Sequence, residues 1–139
     1  MDHAATTRRL YDLINAGDID GFGELIAEDF VEHEKTPGLE PTREGVKQLF
    51  HMYRAAFPDL RMEAQDVIVS GDKAVARVRA TGTQQGEFMG MPGSGKSVDV
   101  GLIDIMRFGD DGLVHEHWGL FDSLAMMEQL GAIPEPSPA

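Results

Sequence analysis

Apolar and polar residues alternate most regularly from Val98 to Phe108, which is the period-two pattern of a β-strand. The four residues that follow, Gly109-Asp110-Asp111-Gly112, favour a tight turn. A second alternating run from Leu113 to Trp118 completes the pattern. The sequence therefore predicts a β-hairpin at this point, and we take it as the centre of a sheet.

The predicted turn determines which residues of the two strands face each other. If Phe108 opposes Leu113, the antiparallel ladder pairs Met106 with His115, Asp104 with His117 and Leu102 with Gly119. Cross-strand Cβ atoms lie roughly 4.5–5.5 Å apart, so the Asp104 carboxylate is predicted to contact the His117 imidazole. Such a pair suits proton transfer, and a structural ion pair is the alternative interpretation. A one-residue bulge would break the pairing.

Helical spacing of apolar residues predicts three helices before the hairpin and one after it. The third of them, over residues 42–57, has the strongest pattern, and its apolar face includes Phe50 and Phe57. Asp122 is placed to cap the last helix. The first two helices are predicted over residues 4–15 and 19–26.

Three further segments alternate as strands. A short strand over residues 30–33 carries His33, for which an inward position and a surface position at the strand end both stay open. Strands over 60–70 and 74–83 are joined by the turn Ser70-Gly71-Asp72-Lys73. Helices followed by hairpin-connected strands predict an α+β fold, in which the helices cover the concave face of a curved antiparallel sheet and a pocket lies between them.

Residues 84–96 form a glycine-rich loop that carries Phe88 and Met89, and we predict that it is mobile and folds over a ligand. Its string Gly90-Met-Pro-Gly-Ser-Gly-Lys96-Ser97 satisfies the phosphate-loop pattern. That motif requires a helix that begins at its lysine, because the helix N-terminus holds the phosphates. Ser97 begins an alternating strand instead, so we predict no nucleotide site.

The composition limits the possible partners. Lys and Arg number 12 against 24 Asp and Glu, for a net charge of −12, which disfavours nucleic acid and anionic membranes as partners. The absence of cysteine excludes disulfides and thiolate metal sites. No segment has the pattern of a signal peptide or of a membrane span, so we expect a cytoplasmic protein. We predict one domain over residues 1–133 and a disordered tail over 134–139.

Four strings stand out along the chain: Asn15-Ala16-Gly17-Asp18, Phe57-Pro58-Asp59-Leu60, Gly86-Glu87-Phe88-Met89-Gly90-Met91-Pro92 and Glu116-His117-Trp118. Together they resemble the SnoaL-like polyketide cyclases of the nuclear-transport-factor-like superfamily. The resemblance implies a cone-shaped fold, a small and largely apolar substrate, no cofactor, and a homodimer or larger assembly paired through the outer sheet face. It also implies that the catalytic aspartate of those cyclases falls on Gly119 and their pocket histidine on Asp104.

The hairpin and the resemblance together predict a cofactor-independent acid/base enzyme that cyclises, isomerises or ring-opens a small hydrophobic molecule. Asp104 is the predicted base or the group that orients His117, and His117 is the predicted proton carrier. A non-catalytic protein of the same fold, which binds a small molecule or serves assembly, is the alternative. A metal site of His115, His117 and Asp104 is a third possibility, although we predict no metal. The residues predicted to contact the substrate are His33, Phe50, Phe57, Phe88, Met89, Leu102, Met106, Gly119 and Asp122.

Overall fold

The computed structural model describes residues 2–134. They form α1 (His3–Ala16), α2 (Ile19–Glu24), β1 (Ile26–Glu32), α3 (Arg43–Ala56), β2 (Arg61–Ser70), β3 (Lys73–Thr83), β4 (Ser97–Phe108), β5 (Val114–Phe121) and α4 (Ser123–Gln129). The predicted α+β class is confirmed. The predicted tail, residues 134–139, lies outside the described residues except for Pro134. No helix among the described residues is long and apolar enough to cross a membrane.

Side-chain caps begin three helices where the sequence indicates them. Asp18, Thr42 and Asp122 each accept a hydrogen bond from the backbone N–H three residues further on, which satisfies a donor that the helix leaves free. The second helix ends at Glu24, two residues earlier than predicted. The reason is that Ile26 already pairs with β5 and begins β1.

The five strands form one sheet in the order β1-β5-β4-β3-β2. Strands β2 to β5 are antiparallel neighbours in hairpin succession, as predicted. Strand β1 lies parallel to β5, so the sheet is mixed. A long connection joins β1 to its neighbour, and no tight turn therefore dictates its direction. The parallel edge brings Glu32 beside His117.

The register of the central hairpin differs from the predicted one by two residues. Asp104 lies opposite Gly119, Met106 opposite His117 and Leu102 opposite Phe121. The predicted direct pairs of Asp104 with His117, Met106 with His115 and Leu102 with Gly119 are therefore wrong.

Two local features add up to this offset. Phe108 pairs with Val114 and not with Leu113, because the turn is one residue longer than predicted. His115 is then the extra residue of a β-bulge, since Arg107 pairs with Glu116. From Glu116 onward the offset is two residues, which leaves these side chains on their predicted face of the sheet, so Asp104 and His117 still share one face as diagonal neighbours.

The helices pack on the face of the sheet that carries Asp104. Leu10 and Ile14 of α1 and Phe22 of α2 are buried in one apolar cluster with Ala74 and Ala76 of β3. The two alanines are fully buried, and their small side chains let the helices approach the strand closely. This packing leaves room for a cavity on the same face, between the helices and strands β4 and β5.

The loop between β3 and β4 is held by a buried glutamine. Gln84 Nε2 donates to the Met91 carbonyl at 3.1 Å, and Ser94 Oγ donates to Gln84 Oε1 at 2.7 Å. The predicted mobility of the loop stays a prediction. Ser97 begins β4, as predicted, so the residues after Lys96 do not form the helix that a phosphate loop requires.

Candidate active site

A cavity of about 750 Å³ lies between the helices and the sheet, within the range of about 300–1,000 Å³ that is typical of small-molecule sites. Its wall is mostly apolar, and the two predicted catalytic residues, Asp104 and His117, are among the polar residues that line it. The other predicted residues that line it are Phe50, Phe57, Phe88, Met89, Leu102 and Met106.

Three residues predicted to contact the substrate do not line this cavity. The His33 ring stacks on Trp118 with a centroid separation of 4.7 Å, and its Nε2 lies 2.7 Å from Glu116 Oε2. Strand alternation is the cause, because β1 turns Glu32 inward and therefore His33 outward. Asp122 caps α4. Gly119 has no side chain to offer, although its Cα lies beside the polar cluster.

The His117 imidazole lies between two carboxylates. Its Nδ1 is 2.6 Å from Glu32 Oε2, and its Nε2 is 2.7 Å from Asp104 Oδ1. An imidazole that donates from both nitrogens is protonated. Burial lowers the pKa of His117, but the hydrogen bonds and negative charges of Asp104 and Glu32 outweigh burial and raise that pKa to about 10. His117 is therefore an imidazolium at neutral pH.

Tyr11 holds the other oxygen of Asp104. The Tyr11 hydroxyl donates to Asp104 Oδ2 at 2.5 Å, so Asp104 has a donor at each carboxylate oxygen. Burial and the adjacent Asp104 charge raise the pKa of Tyr11 above its ordinary value. The hydroxyl thus keeps its proton and remains a donor, and Asp104, which is only 8% exposed, is held in one orientation.

Glu34, which also lines the cavity, contributes a third carboxyl group to the polar cluster around His117. Partial burial raises its pKa, the charge of His117 lowers it, and the charges of Asp104 and Glu32 raise it further, with a net increase. On the helical side, burial and the charges of Glu34 and Asp104 raise the pKa of Tyr53 to about 12. The cluster therefore combines one imidazolium, three carboxyl groups and two protonated phenols.

Glu34, Asp104 and His117 can place one ligating atom each within 4.8 Å of the others. They do not fit a metal ion well, because both His117 nitrogens already donate to carboxylates and the ring retains its proton to a pKa of about 10. A metal requires a neutral imidazole. The alternative hypothesis of a metal site formed by His115, His117 and Asp104 is wrong. The His115 side chain lies away from the cavity, with its Nε2 3.0 Å from Asp111 Oδ1.

Sequence reasoning missed Glu32, Glu34 and Tyr11. A signal existed for Glu32, which shares the parity of the buried Phe30 in β1, so the inward side of this strand could have been chosen from Phe30. Tyr11 is the second of two adjacent large residues on α1, Leu10 and Tyr11, that are both buried. Glu34 follows the last residue of β1 by two positions, and periodicity does not place such a residue.

Comparisons with known proteins agree with the fold described above. Residues 4–130 match the family model described as SnoaL-like polyketide cyclase. TsrD from Streptomyces laurentii is 33% identical, with a TM-score of 0.84 over 96% of this chain and 99% of that chain. IdmH from Streptomyces antibioticus, a candidate polyketide cyclase, is 34% identical, with a TM-score of 0.82 over 94% of this chain and 99% of that chain.

AclR from Streptomyces galilaeus, a candidate hydroxylase, is 28% identical, with a TM-score of 0.86 over 97% of this chain and 84% of that chain. No curated protein matches the chain. The similar structures therefore share the fold over nearly the whole length, and their described activities differ.

Proposed function

Because the chain belongs to the SnoaL-like polyketide cyclase family, we propose that it is a cofactor-independent acid/base enzyme that acts on a small hydrophobic molecule. The proposed reaction is an aldol-type cyclisation, an isomerisation or a ring opening. The observation that carries the proposal is the hydrogen-bonded chain Tyr11–Asp104–His117–Glu32 beside an open apolar cavity. Fold alone would not support it, since one fold hosts many functions.

Asp104 is the proposed base. It lines the cavity, and aldol and isomerisation reactions both begin when a base removes a proton from the carbon beside a carbonyl. His117 Nε2 lies 2.7 Å from Asp104 Oδ1, so the Nε2–H can share its proton with Asp104 while Glu32 accepts from the other ring nitrogen. A positioned acid or base of this kind contributes about 10²–10⁴-fold to a rate.

The cavity wall suggests how such a substrate would lie. Phe50 and Phe88 both contact Tyr53 ring to ring, at centroid distances of 6.0 and 5.7 Å, and together they form an aromatic wall above the polar cluster. Flat fused rings would pack on this wall. A carbonyl at one end of the molecule would then reach Asp104.

Asp104→Asn tests the proposal. The probe is 2-tetralone, an enolisable fused-ring ketone, and the measurement is deuterium uptake at the carbon beside its carbonyl, followed by proton NMR in D2O. We expect the wild-type chain to accelerate uptake and Asp104→Asn to lose about 10²–10⁴-fold of that acceleration. Asp99→Asn is the control, because Asp99 lies on the same strand but is exposed and paired with Arg79. An unchanged rate in Asp104→Asn would contradict the role of Asp104.

The non-catalytic alternative gives a different result in the same assay. A binding protein would shift the 2-tetralone resonances on titration but would leave the rate of deuterium uptake at the uncatalysed value in both the wild type and Asp104→Asn. That pair of results would replace the enzymatic proposal with one of small-molecule binding.

We also propose that two copies pair through the outer face of the sheet. Ile103 and Leu120 are cross-strand partners on that face and are 43% and 80% exposed, and Ile68 of β2 is 65% exposed. Exposed apolar side chains on one sheet face are typical of a protein interface. The cytoplasmic location stays a prediction.

A further inference from the structure

The Glu34 carboxyl fills the space beside Gly119. A Cβ atom at position 119 would collide with Glu34 Oε2, and it would also lie 2.8 Å from His117 Cε1 and 3.0 Å from Asp104 Oδ1. These contacts place the carboxyl of Glu34 against both groups of the proposed centre. The absence of a side chain at Gly119 is what gives Glu34 this position.

Glu34 differs from the other two carboxyl groups in its hydrogen bonds. His117 donates to one oxygen of Asp104 and Tyr11 to the other. His117 also donates to Glu32. No donor within residues 2–134 forms a hydrogen bond with the Glu34 carboxyl. The backbone N–H of Glu34 donates to Glu32 Oε2 at 3.2 Å. Glu34 is therefore the carboxyl group of the cluster that can turn to a bound molecule without breaking a hydrogen bond.

We propose that Glu34 is the catalytic acid, an inference that rests on the proposed function. Glu34 donates its carboxyl proton to the substrate's carbonyl oxygen while Asp104 takes a proton from the adjacent carbon. The O–H bond of Glu34 breaks as the new O–H bond of the substrate forms. Asp104 gains the proton that leaves carbon, so the two carboxyl groups exchange protonation states. Their oxygen atoms lie within 4.8 Å of each other, a distance that one bridging water can span, and such a water would return the proton from Asp104 to Glu34.

The surroundings of Glu34 favour the protonated form that an acid needs. Burial raises its pKa, the imidazolium of His117 lowers it, and the charges of Asp104 and Glu32 raise it, with a net increase. Tyr53 on α3 and Tyr11 on α1 also face the cluster, and both are neutral at pH 7 because their pKa values are raised above the ordinary value of 10. Lys35, beside Glu34 in the chain, and Glu87 of the β3–β4 loop line the same cavity. Two carboxyl groups in different environments are a common basis for separate acid and base roles.

Glu34→Gln tests this inference, with Glu34→Asp as the conservative variant. The rate of deuterium uptake into 2-tetralone is measured from pH 4 to pH 9 in each chain. We expect Glu34→Gln to lose about 10²-fold or more of the acceleration and to lose the limb of the pH profile on which the wild-type rate falls as pH rises. Glu34→Asp should regain part of the rate and that limb. Glu28→Gln, an exposed position on β1, should behave as wild type.

A second measurement needs no substrate. Carbon-13 NMR of chains labelled at the glutamate carboxyl carbons follows the titration of Glu34, with the signal assigned by its loss in Glu34→Gln. We expect a midpoint above 4.5, the ordinary value for glutamate. A midpoint at or below 4.5, or a wild-type rate and pH profile in Glu34→Gln, would overturn the role of Glu34 and leave that of Asp104 intact. A wild-type chain without activity would instead overturn the proposed function, and the role of Glu34 with it.

Discussion

Replacing His117 with Gln should remove a pH dependence that the wild-type stability has. The pKa of His117 is raised from 6.5 to about 10 in the folded chain, so the folded state keeps a proton that the unfolded state releases between these pH values. Because the folded pKa is the higher one, the stabilisation is complete below pH 6.5 and is lost as pH rises to about 10. Each pH unit in that window costs about 1.4 kcal/mol, or about 5 kcal/mol in all.

That amount is large against the total unfolding free energy of about 5–15 kcal/mol that is typical of a domain. Its source is the position of the imidazolium between two carboxylates, Glu32 and Asp104, whose charges it compensates in a buried site. In His117→Gln these two carboxylates lose their cation. We therefore expect the variant to be less stable by about 3–5 kcal/mol at pH 7 and to approach the wild type as pH rises toward 10.

The assay is urea unfolding at pH 6, 7, 8 and 9, followed by the fluorescence of Trp118, the only tryptophan of the chain. The wild type should lose stability steadily from pH 7 to pH 9, and His117→Gln should lose little. His115→Gln is the control, because this histidine contacts Asp111 outside the cavity, and it should keep the wild-type slope. Parallel slopes in the wild type and His117→Gln would refute the reasoning.

Two further predictions concern the space beside the cluster and the outer face of the sheet. Gly119→Ala adds a Cβ that collides with Glu34 Oε2. We therefore expect urea unfolding to show a free energy of unfolding lower by about 1–3 kcal/mol, together with a large fall in the rate of deuterium uptake. A wild-type rate of uptake would show that Glu34 need not hold its position. The wild-type chain should sediment at twice the mass of one chain and Ile103→Lys at the mass of one chain, whereas a wild-type monomer would remove the dimer proposal.

The elements of the fold could be predicted from the sequence because their periodicities are regular. Strand β4 alternates over its whole length, and the caps at Asp18, Thr42 and Asp122 carry their own local chemistry. The direction of β1 could not be predicted, because a long connection leaves it open. The register of the central hairpin could not be predicted either, because turn length and the bulge at His115 depend on packing around the turn.

The candidate site was predicted only in part, for a related reason. A register offset of two residues does not change the face of the sheet on which a side chain lies. The alternation of β4 and β5 was therefore enough to predict that Asp104 and His117 lie close together on one face. Glu34 comes from a segment that has no periodicity. The resemblance aligns the catalytic aspartate of the family with Gly119, but it gave no sign that the Glu34 carboxyl fills the space beside this glycine. Alternation showed that His33 and Glu32 face opposite ways but not which of them faces inward.

The parallel docking of β1 has a consequence for how the chain folds. Tyr11 and Asp104 are 93 residues apart in sequence, and Glu32 and His117 are 85 apart. Strands β2, β3 and β4 each pair with the strand that follows in the chain, but this cluster closes only when the N-terminal third arrives. Contacts of such high sequence separation are entropically the most costly to form. We therefore expect the imidazole and its carboxylates to stay hydrated until late in folding and to give up their water in the step that completes the cavity.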